Sequence, residues 1–330
     1  MKWRLVCILA ASVAVLLAQT PPVTILTIEA DKTVFYWDDV GDPTRNATSA
    51  TVPTRASVAN FQPVLLLSDI VAVNGKPAKG VFVGRGISTL LRPAPTGGAG
   101  ISDVTRNNVF DFHIEIQQAN GPPIGSLVLG GLGGGHPPLG APTGAAAGNF
   151  AVLGGTGAFF GARGQGATVS VVARSTSYTE NPINRQVQPG SGAFKFVVHL
   201  IPMTWPEVLS LPTGPAVYHA QDWSLVTATK PARAGEWLIM SVSGLGPTKP
   251  SLDPGKPFPA YGEPLCLVNS PVEATVNGKP TQTFNAVGWP ETVGMYRVDF
   301  LMPANIKPGM ASVSLSAAWI NGPEVNIPVR

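Results

Sequence analysis

The sequence predicts an all-β chain built as two units. Runs of β-branched and aromatic residues recur along its whole length, with no helical stretches between them. Gly 37 and Pro 33, among 330 residues, break those runs at turn-like intervals. The length itself exceeds what a single hydrophobic core ordinarily organises.

The amino terminus reads as a secretory signal over residues 1–20. Lys2 and Arg4 make a basic start, Leu5–Leu17 is apolar, and Ala18 is a small residue before Gln19. The apolar run is shorter than the roughly 20 residues that span a bilayer. The expectation is therefore an extracytoplasmic protein without an integral span once the signal is cleaved; Leu16 at the −3 position fits the small-residue rule poorly, and an uncleaved anchor is the alternative.

Front-half strands are expected from residue 21 to residue 200. Val23–Glu29 and Thr33–Trp37 come first, then Val64–Val71 and Val81–Val83, with Asn74-Gly75 turning the chain between them. Val109–Gln117 alternates: Phe110, Phe112, Ile114 and Ile116 on one face, Asp111, His113, Glu115 and Gln117 on the other. Ser126–Leu129, Phe150–Leu153, Ala158–Phe160, Ala167–Ala173 and Ala193–Leu200 follow, with Gly154-Gly155-Thr156-Gly157 expected as the tight turn between Phe150–Leu153 and Ala158–Phe160. Eight or more strands without intervening helices imply antiparallel pairing, in a closed barrel or a sandwich. Gly130–Gly148, nearly all Gly, Pro and Ala, is expected as a loop over one barrel mouth.

Residues 201–215 carry Pro202, Pro206, Pro212 and Pro215 and read as a linker. From 216 to 330 seven short runs follow, Trp223–Ala228 to Val325–Val329. That count suggests an immunoglobulin-like sandwich, with Asn277-Gly278 and Asn321-Gly322 as hairpin turns.

Charge narrows the function. Charged residues are 12% of the chain and the net charge is +3, with no basic run of the kind that binds nucleic acid. Cys266 is left alone once the signal is gone and reads as a small buried hydrophobe. No CxxC or HxxxH spacing points to a metal, no Gly-x-Ser-x-Gly elbow points to a hydrolase, and no cofactor is expected.

Short motifs then suggest a family. Phe35-Tyr36-Trp37-Asp38-Asp39-Val40, Val83-Gly84-Arg85-Gly86, the Phe110–Leu129 strand pair, Gly154-Gly155-Thr156-Gly157 and Ala162-Arg163-Gly164 occur in an order and spacing that resemble the dirigent and allene-oxide-cyclase-like barrels. The resemblance covers most of residues 34–170 and implies an eight-stranded antiparallel barrel with a ligand cavity. It also implies that Asp39 faces the lumen, assisting proton transfer or orienting a phenolic intermediate, and it allows a homo-oligomer through the barrel. The family's His before that aspartate is Asp38 here, and its tyrosine after the Gly-Arg motif has no counterpart. The back half is similar to a C-terminal domain of secreted proteins from Solibacter-type bacteria, on Ala232–Pro250, Pro271–Gly278, Val293–Met302 and Pro303–Gly309. That family has no assigned activity.

Candidate site residues follow. A carboxyl such as Asp39 in an apolar cavity has its pKa raised and can act as acid or base; beside a strand end it is a solvated or turn-capping acid. Arg163 and Arg85 either bind an anionic or phenolic oxygen in the cavity or pair with a barrel acid. Tyr36, Trp37, Phe159 and Phe160 either wall a ring-shaped ligand or pack as core. The Phe110 row and the Asp111 row cannot both face inward. The expected partner is a small apolar or aromatic molecule, either held without chemistry or steered through cyclisation or coupling. A structural or cell-surface role is the third reading.

Overall fold

The computed structural model describes residues 24–37, 61–133, 137, 141–142, 144–253, 255–261 and 263–330, except 90–106. Asp38, Asp39 and Val40 lie outside the described residues.

The front half is a closed barrel of eight antiparallel strands. β1 (Thr24–Trp37), β2 (Phe61–Val73), β3 (Lys76–Thr89), β4 (Asn107–Gln118), β5 (Pro123–Leu132), β6 (Ala147–Gly157) and β7 (Arg163–Val171) pair in succession. After β7 the chain makes a short strand β8 (Arg174–Ser177) and one helical turn α1 (Asn184–Val187), then returns as β9 (Gly192–Ile201). β9 pairs with both β7 and β1, and β1 pairs with β2, which closes the ring. Closure satisfies every edge through hydrogen bonds that an open sheet would leave free.

Alternation decides the interior. Phe110, Phe112, Ile114 and Ile116 are buried in the lumen, so Asp111, His113 and Glu115 face outward. Asn74-Gly75 and Asn277-Gly278 make the expected hairpin turns, with both residues of each pair at positive φ.

Several expected elements are placed differently. Val23–Glu29 and Thr33–Trp37 are one strand, interrupted by a bulge between Ala30 and Thr33 where Lys32 has φ 54°. Gly154–Gly157 is not a turn: β6 runs through it. A Cβ on Gly155 would lie 2.3 Å from the Phe159 carbonyl oxygen, so the glycine admits a close backbone approach rather than a reversal. The reversal comes at residues 158–162, and Ala158–Phe160 is therefore turn, not strand. Apolar side chains there mimic a strand pattern because Phe159 is buried against the barrel floor.

Further antiparallel sheets make up the back half. A seven-stranded sheet centred on Trp237–Ser243 and Met295–Leu301 faces a five-stranded sheet centred on Val272–Val276 and Gly309–Ala317. One core joins them, including Leu238, Met240 and Phe300 from the first and Ala274, Val313 and Ile327 from the second. Cys266 lies in this core, 1% exposed. The stretch read as a linker carries ladder pieces: Glu207–Val208 pairs with the central strand, and Ser210–Leu211 pairs with Gly214–Pro215.

The two units touch at the barrel end with the short turns 74–75, 119–122 and 158–162. Ala318 and Ile320 belong to the barrel's own core cluster, with Trp319 packed against it. Ala318 and Trp319 form a hairpin turn at φ 49° and 63°, where Asn-Gly is the usual choice. That turn, not Asn321-Gly322, reverses the chain. Asn269 Nδ2 donates to the Pro123 carbonyl at 2.7 Å, and Lys76 pairs with Glu273 across the same junction.

Candidate functional site: a cavity at the free end of the barrel

An eight-stranded barrel is only just wide enough for its side chains or for one small ligand. Here side chains fill one height of the lumen and leave a hollow at another. Through the middle, Phe82, Phe112, Phe150, Phe194 and Phe196 fill the lumen, with ring centroids 4.6–5.8 Å apart for the pairs Phe112–Phe150 and Phe150–Phe196 and 4.7 Å for Phe82–Phe194. Above them, at the end away from the sandwich, a cavity of about 350 Å³ remains.

Small inward positions create it. Gly84 and Gly86 of β3 face the lumen, and a Cβ on them would approach Phe112 and Phe110 ring atoms to 2.5 and 2.9 Å. The two rings lie over these glycines, stacked 5.4 Å apart. Gly133, Ala147 and Ala173 add little bulk on the other strands of the cavity wall.

The bulge at Ala30–Thr33 then decides which β1 side chains reach the space. It shifts the alternation by one residue. Leu26, Ile28 and Ala30 face inward below it, and Phe35 and Trp37 face inward above it. Tyr36 consequently points out of the barrel. It is 6% exposed, with Glu180, Arg174 and Arg185 around it. Burial, and secondarily the Glu180 charge, raise its phenol pKa.

Trp37 thus lines the cavity, with Phe35, Phe110, Phe150, Phe194 and Leu66. Tyr36 does not, and the correction follows from the bulge. Phe159 lies on the barrel floor and Phe160 is 70% exposed beside it, both at the end opposite the cavity. Arg163 also sits at that lower end, where its Nη1 donates to the Leu153 and Ala162 carbonyls, both at 2.9 Å. It tethers the β6–β7 turn. Arg85 is on the outer face, 3.9 Å from Asp111.

Two polar side chains, half-buried Thr168 of β7 and exposed Ser175 of β8, join the rings in lining the cavity. Thr168 lies opposite Phe196 of β9, and Ser175 owes its position to the topology above Thr33. There β9 has ended, and β8 takes its place beside β1, running parallel over Val34–Trp37. Sequence reasoning missed both hydroxyls: Thr168 is set by its pairing with Phe196 of β9 and Ser175 by the replacement of β9 by β8, tertiary pairings that no local pattern announces. Phe35 was also missed; the Asp31-Lys32 pair within an apolar strand was the available sign of a bulge.

Comparison with known protein families, curated protein sequences and solved structures returns no match to this chain.

Proposed function

We propose that the chain is an exported two-domain protein whose barrel holds a small apolar or aromatic molecule in the cavity at its free end. The observation that carries this reading is the hollow of about 350 Å³, walled mainly by aromatic rings. Pockets for small ligands begin at roughly 300 Å³ and are mostly apolar with a few polar groups. The basic start and apolar run at residues 2–17 support export. The dirigent-like motif series supports a ligand-holding barrel, and the back half is read as an immunoglobulin-like accessory domain. Non-catalytic binding is the simplest form of this function. Steering of a cyclisation or coupling is its catalytic extension; Asp39→Ala with turnover lost and binding kept would favour it.

N-phenyl-1-naphthylamine, a neutral dye that brightens in dry apolar sites, tests the reading. The wild-type protein should enhance its emission, and Ala173→Trp, which fills the cavity, should weaken binding about tenfold or more. No enhancement, or enhancement unchanged in Ala173→Trp, would overturn it.

A surface-interaction role draws support from the sandwich. Phe284 is 77% and Trp223 49% exposed, in edge contact with Trp237 and Trp289 respectively. Exposed aromatic clusters mark contact sites. Self-association lost in Phe284→Ser, measured by sedimentation, would favour that role; a monomer in both forms counts against self-association through this face.

A further inference from the structure

We infer that the cavity selects an uncharged molecule with a flat apolar body and one hydrogen-bonding end, seated with that end against Thr168 and Ser175. This rests on the reading that the cavity is a ligand site.

The cavity is chemically lopsided. Phe35 and Trp37 of β1, Phe110 of β4 and Phe150 of β6 supply ring surfaces. Thr168 of β7, paired with Phe196 of β9, and Ser175 of β8, at the seam beside β1 where β8 succeeds β9, supply the hydroxyls. In the β1–β8 ladder Ser175 lies directly beside Phe35, so the polar and aromatic surfaces adjoin at that point. Neither hydroxyl has a hydrogen-bond partner among the described residues. Each can donate and accept. A ligand hydroxyl or carbonyl can therefore pair with either, whereas its remaining surface meets rings and small side chains.

Charge changes the balance. Ser175 is exposed at the rim and Thr168 is half-buried, so a carboxylate or sulfonate keeps part of its hydration there, but drawn in among the rings it loses water that two neutral hydroxyls replace only in part. It would also meet the electron-rich faces of the rings. A cation is attracted by those faces but sheds water against the same apolar wall, where, among the described residues, the two hydroxyl oxygens are the side-chain oxygens that line it. The uncharged molecule alone gains ring contact and a hydrogen bond without that desolvation cost.

Four probes of one skeleton separate the possibilities: 2-naphthol, naphthalene, 2-naphthoate and naphthalen-2-ylmethyl-trimethylammonium. Affinities for the full chain at pH 7 are read by titration calorimetry. We expect 2-naphthol to bind roughly 3–10-fold more tightly than naphthalene, the worth of one neutral hydrogen bond. Both charged probes should bind at least about 30-fold more weakly than 2-naphthol. The Thr168→Val, Ser175→Ala double variant should erase the preference for 2-naphthol over naphthalene. Equal binding of either charged probe and 2-naphthol overturns the inference, as does a preference that survives the double variant. The wild-type panel decides the charge question even if the variant fails to fold. Absence of binding by all four probes overturns the ligand-site reading itself, a different result from binding without selectivity.

Discussion

Single atoms decide whether this barrel is hollow. Gly84 illustrates it: its missing Cβ leaves room for the Phe112 ring, whose Cε1 would otherwise lie 2.5 Å away. Gly84→Ala should push that ring toward the cavity and cost about 1–3 kcal/mol, as overpacking does. Urea unfolding would show the loss, and dye binding should weaken with it; unchanged values for both would contradict the role assigned to this glycine. Tyr36 provides a pH probe on the outer side of the same wall. Its phenol is held protonated by burial and by Glu180, so its pKa is raised. The stability it contributes is complete below the ordinary phenol value of about 10 and is lost as pH rises through the raised value, because the unfolded chain then gives up the proton first. Tyr296, raised by burial, acts in the same direction. Tyr36→Phe should therefore make the fall in urea midpoint above about pH 10 shallower. An identical fall would show that the phenol is not coupled to folding.

At the scale of elements, the decisive device is the bulge that turns Phe35 and Trp37 inward and Tyr36 outward. It is buttressed from α1. Arg185 donates to the Lys32 carbonyl at 3.1 Å and to Asp69 Oδ1 at 2.7 Å, and Gln186 donates to Asp69 Oδ2 at 2.9 Å. Arg174 holds Glu180 with both carboxylate oxygens within 2.9 Å of its Nη1, pinning the chain between β8 and α1. Arg185→Ala should cost about 1–2 kcal/mol and speed proteolysis within residues 178–191; cleavage at the wild-type rate would argue that α1 is held by other means. This level also marks how far the sequence could be read. The β4 alternation from Phe110 to Ile116 was plain, because a period of two survives any sheet that buries one face. The β1 alternation was not, since one inserted residue inverts the faces and leaves little local sign. The apolar Ala158–Phe160 looked like strand because burial in a turn uses the same residue types. Glycines at 154–157 suggested a turn, but there they serve close approach of neighbouring backbone.

At the scale of the whole molecule, the two ends of the barrel differ. The sandwich closes the lower end with Ala318-Trp319-Ile320, a contact that no pattern in either half foreshadows because it exists only after both have folded. Among the described residues Trp319 Nε1 is buried without a hydrogen-bond partner, which makes the indole a costly stopper. Trp319→Ala should destabilise the protein by about 3 kcal/mol and loosen the coupling between the halves, so that one calorimetric transition separates into two. Trp319→Phe keeps a ring and removes the orphaned donor, and should cost clearly less. Equal costs would mean that the ring's packing is not what joins the units. With that end occupied, the cavity that the described residues line lies at the opposite end, beside Trp37. The central claim is that this cavity receives a ligand. Its most direct test is a crystal of the full chain soaked with N-phenyl-1-naphthylamine: density for the dye against Phe35, Trp37 and Phe150, near Thr168, is the expected result, and a cavity filled by rearranged side chains with the dye elsewhere would contradict it.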